Sequence, residues 1–197
     1  MVRAVTPAAA AVPVRLGAIA FAVVSLLAFL LVSRAEGSPS TWNAYLAPES
    51  TCSSADDASA PAAIQTRAVA CLVNWARAQD GSGRLVQRPK LHRAAELKGQ
   101  RVASCNQFSH TPCGASVTSD VKAAGYRYST FGENLFAGTW GQVSARQVVT
   151  AWLQSPPHRA NVLSSRFRDV GAAPVLAHGL LDDGDAVVWT ATFGSRS

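Results

Sequence analysis

The chain has 197 residues, of which 48% are apolar and 15% are charged. This balance is typical of one globular domain and excludes a disordered, fibrous or repeat protein. The formal net charge is +6, but Lys and Arg are scattered along the sequence without a run of three. That scatter argues against a nucleic-acid-binding protein.

The first predicted element is an export segment. Residues 16–33 carry no charge, Arg3 and Arg15 precede them, and Ser33-Arg34-Ala35 has the small-x-small pattern that signal peptidase recognises. Residues 1–35 are therefore interpreted either as a signal peptide cleaved after Ala35 or as an uncleaved signal anchor. In both cases the domain is secreted or held outside the cell, and contact with the membrane is limited to this segment.

Residues 36–61 follow, rich in Ser, Ala, Pro and acidic residues without periodicity. This composition predicts an extended arm or linker, so the folded domain is expected over residues 62–197.

The chain has four cysteines, Cys52, Cys71, Cys105 and Cys113, and all of them follow the export segment. Their even number and the absence of a C-x-x-C motif favour disulfides over a zinc or redox site. Three pairings are compatible with four cysteines. We favour Cys52 with Cys71 and Cys105 with Cys113, because each closes a short loop; four buried free thiols are the alternative.

The first two helices are predicted from apolar periodicity. Apolar residues recur at helical spacing from Ile64 to Gln79, and Asp80-Gly81-Ser82-Gly83 ends the run. A second apolar stripe starts after Pro89 and continues towards Cys105.

Two further helices are predicted from their ends. A short third helix over 118–124 stops at Gly125. Ser144 and Gln147 form a capping box for a fourth helix over 145–154, which Pro156-Pro157 terminate.

Strands follow the helices. The Val-rich segments 169–177 and 186–193 flank an Asp-rich turn and predict an antiparallel hairpin. In the second segment, alternate residues place an apolar set on one face: Val187, Trp189, Ala191 and Phe193. Helices before strands with short connections predict an α+β fold.

Common catalytic motifs are absent from the sequence: it contains no H-E-x-x-H, G-x-S-x-G or glycine-rich nucleotide motif. Three polar patches stand out in apolar sequence instead. They are Phe108-Ser109-His110, Gly132-Glu133-Asn134 and the segment from Ser155 to Asn161.

With these patches, the chain resembles the CAP superfamily of cysteine-rich secretory, antigen 5 and pathogenesis-related-1 proteins, particularly its bacterial exported branch. The resemblance covers about residues 62–194 and includes Cys71 to Asn74, Ala123 to Tyr126, Val149 to Trp152 and Trp189 to Gly194. It implies a three-layer α-β-α sandwich with a central antiparallel sheet, the CAP or SCP-like fold. It also implies a cleft lined by two His and two acidic residues.

The resemblance places His110, Glu133 and His158 in that cleft, with Asn134 beside Glu133 as a further cleft residue. The position of the second acid falls on Ser155, so one carboxylate is missing. Three interpretations of the triad stay open. His110, Glu133 and His158 form a site for zinc or another divalent cation, a metal-free acid–base pair, or a structural hydrogen-bonded cluster.

Other candidate residues lie near the patches. Arg159 is expected to pair with a carboxylate such as Glu133 or Asp169. Trp42 and Trp140 lie in predicted loops and are candidates for ligand contact.

We expect a binding or scaffold module at the cell envelope, a monomer whose partner is a lipid-like or cell-envelope ligand rather than nucleic acid. Two alternatives remain. One is a metal-assisted hydrolase of peptide or envelope polymer, and the other is a structural envelope protein with a vestigial cleft. No residue is assigned as catalytic, because the sequence shows no nucleophile motif and the second acid is missing.

Overall fold

The computed structural model describes residues 41–181 and 184–197, so the predicted export segment and its cleavage site lie outside the described residues. Within these ranges the helices are α1 (Ala62–Gln79), α2 (Pro89–Cys105), α3 (Ser119–Ala123), α4 (Ala145–Gln154) and α5 (Pro156–Leu163), and the strands are β1 (Val86–Gln87), β2 (Thr130–Thr139), β3 (Asp169–Leu181) and β4 (Gly184–Ser195). None of the helices in these ranges combines the length and apolarity that a membrane span requires.

The strands form one sheet in the order β1-β3-β4-β2. Strands β3 and β4 form the predicted antiparallel hairpin, and β2 adds antiparallel to the other edge of β4. The short β1 pairs parallel with the start of β3 and so departs from a purely antiparallel sheet. The hairpin and the α+β class are confirmed.

Helices cover both faces of the sheet. The apolar set of β4 that was predicted from alternation, Val187, Trp189, Ala191 and Phe193, packs in the main core with α1, α4 and α5. On the opposite face, Val188 packs with Val102 of α2, and Leu91 of α2 packs with Val121 of α3. The three-layer sandwich is therefore confirmed.

Two glycines let α2 lie close against β3. A Cβ atom on Gly171 of β3 would stand 2.0 Å from the backbone nitrogen of His92, and one on Gly99 of α2 would stand 2.6 Å from Val175. Any larger residue at Gly171 would push the helix away from the sheet. This close packing fixes the distance between α2 and the sheet, and α2 carries part of the candidate site.

The junction of α4 and α5 extends the sequence prediction. Both bonds of the predicted capping box are present: Ser144 Oγ accepts from Gln147 N, and Gln147 Oε1 accepts from Ser144 N. Pro156-Pro157 end α4 as predicted, but they also begin α5, which the sequence did not indicate. Proline is tolerated in a first helical turn because the N–H groups there have no partner within the helix.

The predicted arm is compact over its described residues rather than extended. Thr41–Tyr45 and Glu49–Thr51 form 3₁₀ turns, and Ala47 is buried in the main core. Arg146 of α4 holds the segment through Asp56, at 2.6 Å. These long-range contacts explain the difference, because the local composition alone gives no sign of them.

Candidate functional site

Three elements supply the predicted triad. His110 lies in the loop after α2, Glu133 lies in β2, and His158 lies in the first turn of α5. His110 Nδ1 stands 2.7 Å from Glu133 Oε1, although the residues are 23 positions apart. The His110 side chain is 49% exposed, whereas that of Glu133 is only 2% exposed. A buried carboxylate therefore orients a solvent-accessible imidazole.

Covalent and polar contacts hold the His110 loop. The described residues include all four cysteines, and both predicted disulfides are present, Cys52–Cys71 and Cys105–Cys113. The second bridge closes the loop around His110, and Gln107 Oε1 accepts from the backbone nitrogen of Cys113 at 2.7 Å. The loop is therefore fixed from both sides of His110.

Lys98 of α2 is the site residue that sequence reasoning missed. Its side chain is 0% exposed, and its Nζ donates to the backbone carbonyl of His110 at 2.6 Å. The same Nζ lies 3.4 Å from Glu133 Oε1 and 3.7 Å from Asp120 Oδ2. A buried ammonium thus connects the cleft carboxylate to a second carboxylate deeper in the domain.

The charges alternate along this connection. Asp120 also accepts from Arg101, at 2.8 Å, so the order is Arg101, Asp120, Lys98 and Glu133. A buried ion without a partner is costly, and each carboxylate here faces a cation. Lys98 lies on the predicted apolar stripe of α2, and a Lys at such a position was the available signal.

The side chain of His158 makes no hydrogen bond or ion pair with His110 or Glu133, and His158 is less exposed than His110. Burial lowers the pKa of His158, and the neighbouring His110 lowers it further. The imidazole of His158 is therefore neutral to lower pH than an ordinary His.

Two asparagines attach α5 to β2. Asn134 Nδ2 donates to the carbonyl of His158 at 3.0 Å, and Asn161 Nδ2 donates to the carbonyl of Glu133 at 3.1 Å. Asn134 lies in the middle of β2 and is fully buried. Ser155 is the N-cap residue of α5, and its side chain makes no capping bond.

Arg159 does not pair with a carboxylate as predicted. Its Nη1 donates instead to the carbonyl of Leu153 at 2.6 Å, at the end of α4. Both predicted partners are already engaged: Glu133 by Lys98 and His110, and Asp169 by other arginines.

Trp140 lies in a turn after β2, as predicted, and its side chain is exposed. It lines a separate cavity of about 320 Å³ with Pro61 and Val187. His110, Glu133 and His158 do not line that cavity.

The donor atoms of the site do not form a three-ligand metal set. Among residues 41–181 and 184–197, no three His, Cys, Asp or Glu side chains are arranged to hold an ion. Glu133 already faces the Lys98 ammonium, so the three-ligand set is not confirmed. Because a carboxylate only accepts, Nδ1 of His110 carries the proton and Nε2 presents a lone pair, as in metal-binding His residues that a carboxylate orients. The two imidazoles are the donors that fit a borderline ion such as zinc.

The chain is similar to known proteins over most of the described region. The cysteine-rich secretory protein family, CAP, matches residues 71–193. The uncharacterized protein YkwD of Bacillus subtilis is 31% identical over 138 residues, which cover 68% of this chain and 49% of YkwD. The chain thus spans about half the length of this curated relative.

Solved structures share the fold at low identity. An extracellular SCP-domain protein of Bacillus anthracis matches with a TM-score of 0.56 and 19% identity, over 69% of this chain and 41% of that one. An outer surface protein of Borrelia burgdorferi matches with a TM-score of 0.56 and 18% identity, over 66% of this chain and 90% of that one. A cysteine-rich secretory protein of Staphylococcus aureus matches with a TM-score of 0.54 and 16% identity, over 70% of this chain and 40% of that one.

Proposed function

Because the chain belongs to the cysteine-rich secretory protein (CAP) family, we propose that it is an exported binding module of the bacterial cell envelope. Its ligand site is the cleft of His110, Glu133 and His158. Export is supported by the two disulfides, which persist in oxidising compartments, and by relatives described as extracellular or outer surface proteins. The observation that carries the proposal is the 2.7 Å contact between exposed His110 and buried Glu133.

The cleft is better suited to binding than to hydrolysis. Both cysteine pairs are oxidised, and among the described residues no Ser or Thr hydroxyl hydrogen bonds to His110 or His158, so no activated nucleophile is present. Glu133 is occupied by Lys98 and His110, which removes it as a general base for water. Ser155 at the second acid position supplies no replacement.

The surface around His110 fits an amphipathic ligand. Phe108, two residues before His110, is 50% exposed. An exposed aromatic ring and an oriented imidazole on one loop offer apolar contact and hydrogen bonding, the usual make-up of a small-ligand site. We therefore favour a lipid-like or glycan component of the envelope as the ligand.

The proposal is tested by sedimenting the secreted protein with purified envelope fragments. We expect His110→Ala to weaken binding by about tenfold, the loss typical of one oriented polar contact. His178→Ala is the matched control, because His178 is exposed on β3 and lies outside the cleft. Equal binding by wild type and His110→Ala would exclude the cleft, and release of soluble fragments from the envelope would indicate the hydrolase alternative.

A second prediction concerns a divalent cation. If His110 and His158 hold zinc, titration calorimetry at about pH 7.5 should show binding that is lost in acid, because protonation of either imidazole removes a lone pair that the ion needs. Glu133→Gln should weaken zinc about tenfold or more, since it removes the carboxylate that orients His110. Calcium should not bind, because it needs six or more oxygen ligands.

No zinc binding at neutral pH would identify the triad as a hydrogen-bonded structural cluster. Envelope binding by the cleft would then proceed without a cation, so the two experiments give separate answers.

A further inference from the structure

One end of the sheet collects basic residues that are scattered in the sequence. Because β3 and β4 are antiparallel, Asp169 at the start of β3 pairs with Gly194 near the end of β4. Arg168 and Arg196 therefore lie at the same end of the sheet, whereas Asp185 lies at the opposite, hairpin end. The tertiary structure thus separates charge along the strands.

A cavity of about 1080 Å³ lies at this basic end. Four exposed cationic side chains line it: Lys90, Lys122, Arg127 and Arg196. The remaining side chains of the lining include Tyr126 and Tyr128, and among the described residues no Asp or Glu side chain lines it. His110, Glu133 and His158 do not line it either, so this cavity is distinct from the cleft.

Among the four cations only Arg196 pairs with a carboxylate of the described residues, that of Asp169. Asp169 is buried and already accepts from Arg88 Nε at 2.9 Å and from the Tyr126 hydroxyl at 2.9 Å, and its other contact is Arg196 Nε at 3.3 Å. Burial and the bond to Asp169 raise the pKa of Tyr126, which keeps its hydroxyl a neutral donor. The position of Arg196 is thereby fixed at the cavity wall.

The other three cations have no acidic partner among the described residues. Lys90 Nζ donates to the backbone carbonyl of Gly125 at 3.0 Å, which leaves its charge in place. Lys122 and Arg127 form no ion pair with the described acidic side chains. Several like charges around one concavity raise its positive potential and attract anions.

We propose that this basic cavity binds phosphate groups of a soluble anionic polymer in the cell envelope. Phosphate oxygens suit the arginine fork and the lysine ammonium, and several such contacts along one polymer add up. A membrane surface fits less well, because no exposed large apolar side chain of the described residues lines the cavity to enter the bilayer. The envelope setting rests on the proposed export, whereas the anion site itself does not depend on the cleft.

The test compares two double variants of equal charge. Lys122→Gln/Arg127→Gln removes two cations from the basic cavity, and Arg67→Gln/Arg84→Gln removes two exposed cations that do not line it. Binding of fluorescent polyphosphate to the secreted protein is measured by anisotropy from about 50 to about 300 mM NaCl. The cavity variant should bind polyphosphate about tenfold more weakly at low salt. The slope of log K against log salt concentration should be smaller in magnitude by about 1.5, since each lost phosphate contact lowers it by about 0.7–0.9.

Equal losses in both double variants would show that net charge alone matters and would overturn the proposal, as would failure of wild type to bind polyphosphate at about 50 mM NaCl. Vesicles of phosphatidylglycerol and of phosphatidylcholine form a second arm. Binding to the anionic vesicles without binding to polyphosphate would show that the ligand of the basic cavity is a membrane surface and not a soluble polymer. His110→Ala should leave polyphosphate binding unchanged, which separates this result from the test of the cleft.

Discussion

Replacing Lys98 with Met should lower the free energy of unfolding by about 3–5 kcal/mol, the cost of removing one partner from buried ion pairs. Lys98 is 0% exposed and its Nζ faces Glu133 Oε1 at 3.4 Å and Asp120 Oδ2 at 3.7 Å. Met keeps most of the side-chain volume, so the loss is chiefly electrostatic. Urea unfolding at neutral pH measures it.

The pH dependence identifies the cause. A buried carboxylate without its cation has a raised pKa in the folded state. The free energy of unfolding of the variant is therefore lowered above the ordinary carboxyl pKa of about 4, and this loss of stability disappears in acid. Adding Glu133→Gln to Lys98→Met should restore part of the stability for the same reason. Lys122→Met is the control, because Lys122 is exposed on the neighbouring helix and should cost less than about 0.5 kcal/mol. A Lys98→Met protein as stable as wild type would exclude the proposed charge pairing.

Replacing Arg77 with Met should also cost about 3–5 kcal/mol, because it leaves buried carbonyl groups without donors, each worth about 1–3 kcal/mol. The fully buried Arg77 of α1 donates to the carbonyl oxygens of Gly83 at 2.7 Å, Val162 at 2.8 Å and Ser164 at 2.9 Å. Burial lowers its pKa. This side chain ties the end of α5, and with it the helix of His158, to α1.

Two companion variants make the Arg77 prediction specific. Arg67→Met, on the exposed side of the same helix, should cost less than about 0.5 kcal/mol. Arg77→Lys should recover little, because one ammonium cannot reach carbonyl groups on both sides of the planar guanidinium. Thermal and urea unfolding give the comparison, and a fully stable Arg77→Lys protein would show that charge alone, not the fork of donors, is required.

Local sequence rules determined most of the secondary structure. The ends of α1, α2 and α4 follow from apolar periodicity, from Pro89 and from the capping box at Ser144, each of which acts within one or two helical turns. The two faces of β4 follow from alternation, which needs only its own residues. Both disulfides were predicted because they close short loops.

The cleft was identified from the resemblance of its motifs to the CAP superfamily, not from any local pattern. That resemblance placed His110, Glu133 and His158, and the structure brings His110 and Glu133 into contact. It gave no sign of Lys98, whose Nζ lies 3.4 Å from Glu133 Oε1. The sequence analysis also missed that a new helix, α5, begins at Pro156, because the same two prolines that end one helix can begin another.

The sequence by itself determined α1 to α4, the β3–β4 hairpin and the apolar faces, and it favoured the observed cysteine pairing, whereas the bounds of β1, β2 and α5 were not predicted. Only the tertiary structure decided which charges meet. Lys98 reaches Asp120 and Glu133 because Gly171 lets α2 lie close to the sheet, and the basic cavity forms because antiparallel strands bring distant cations to one end. Such contacts join residues far apart in sequence, and their energies depend on burial that no local pattern records.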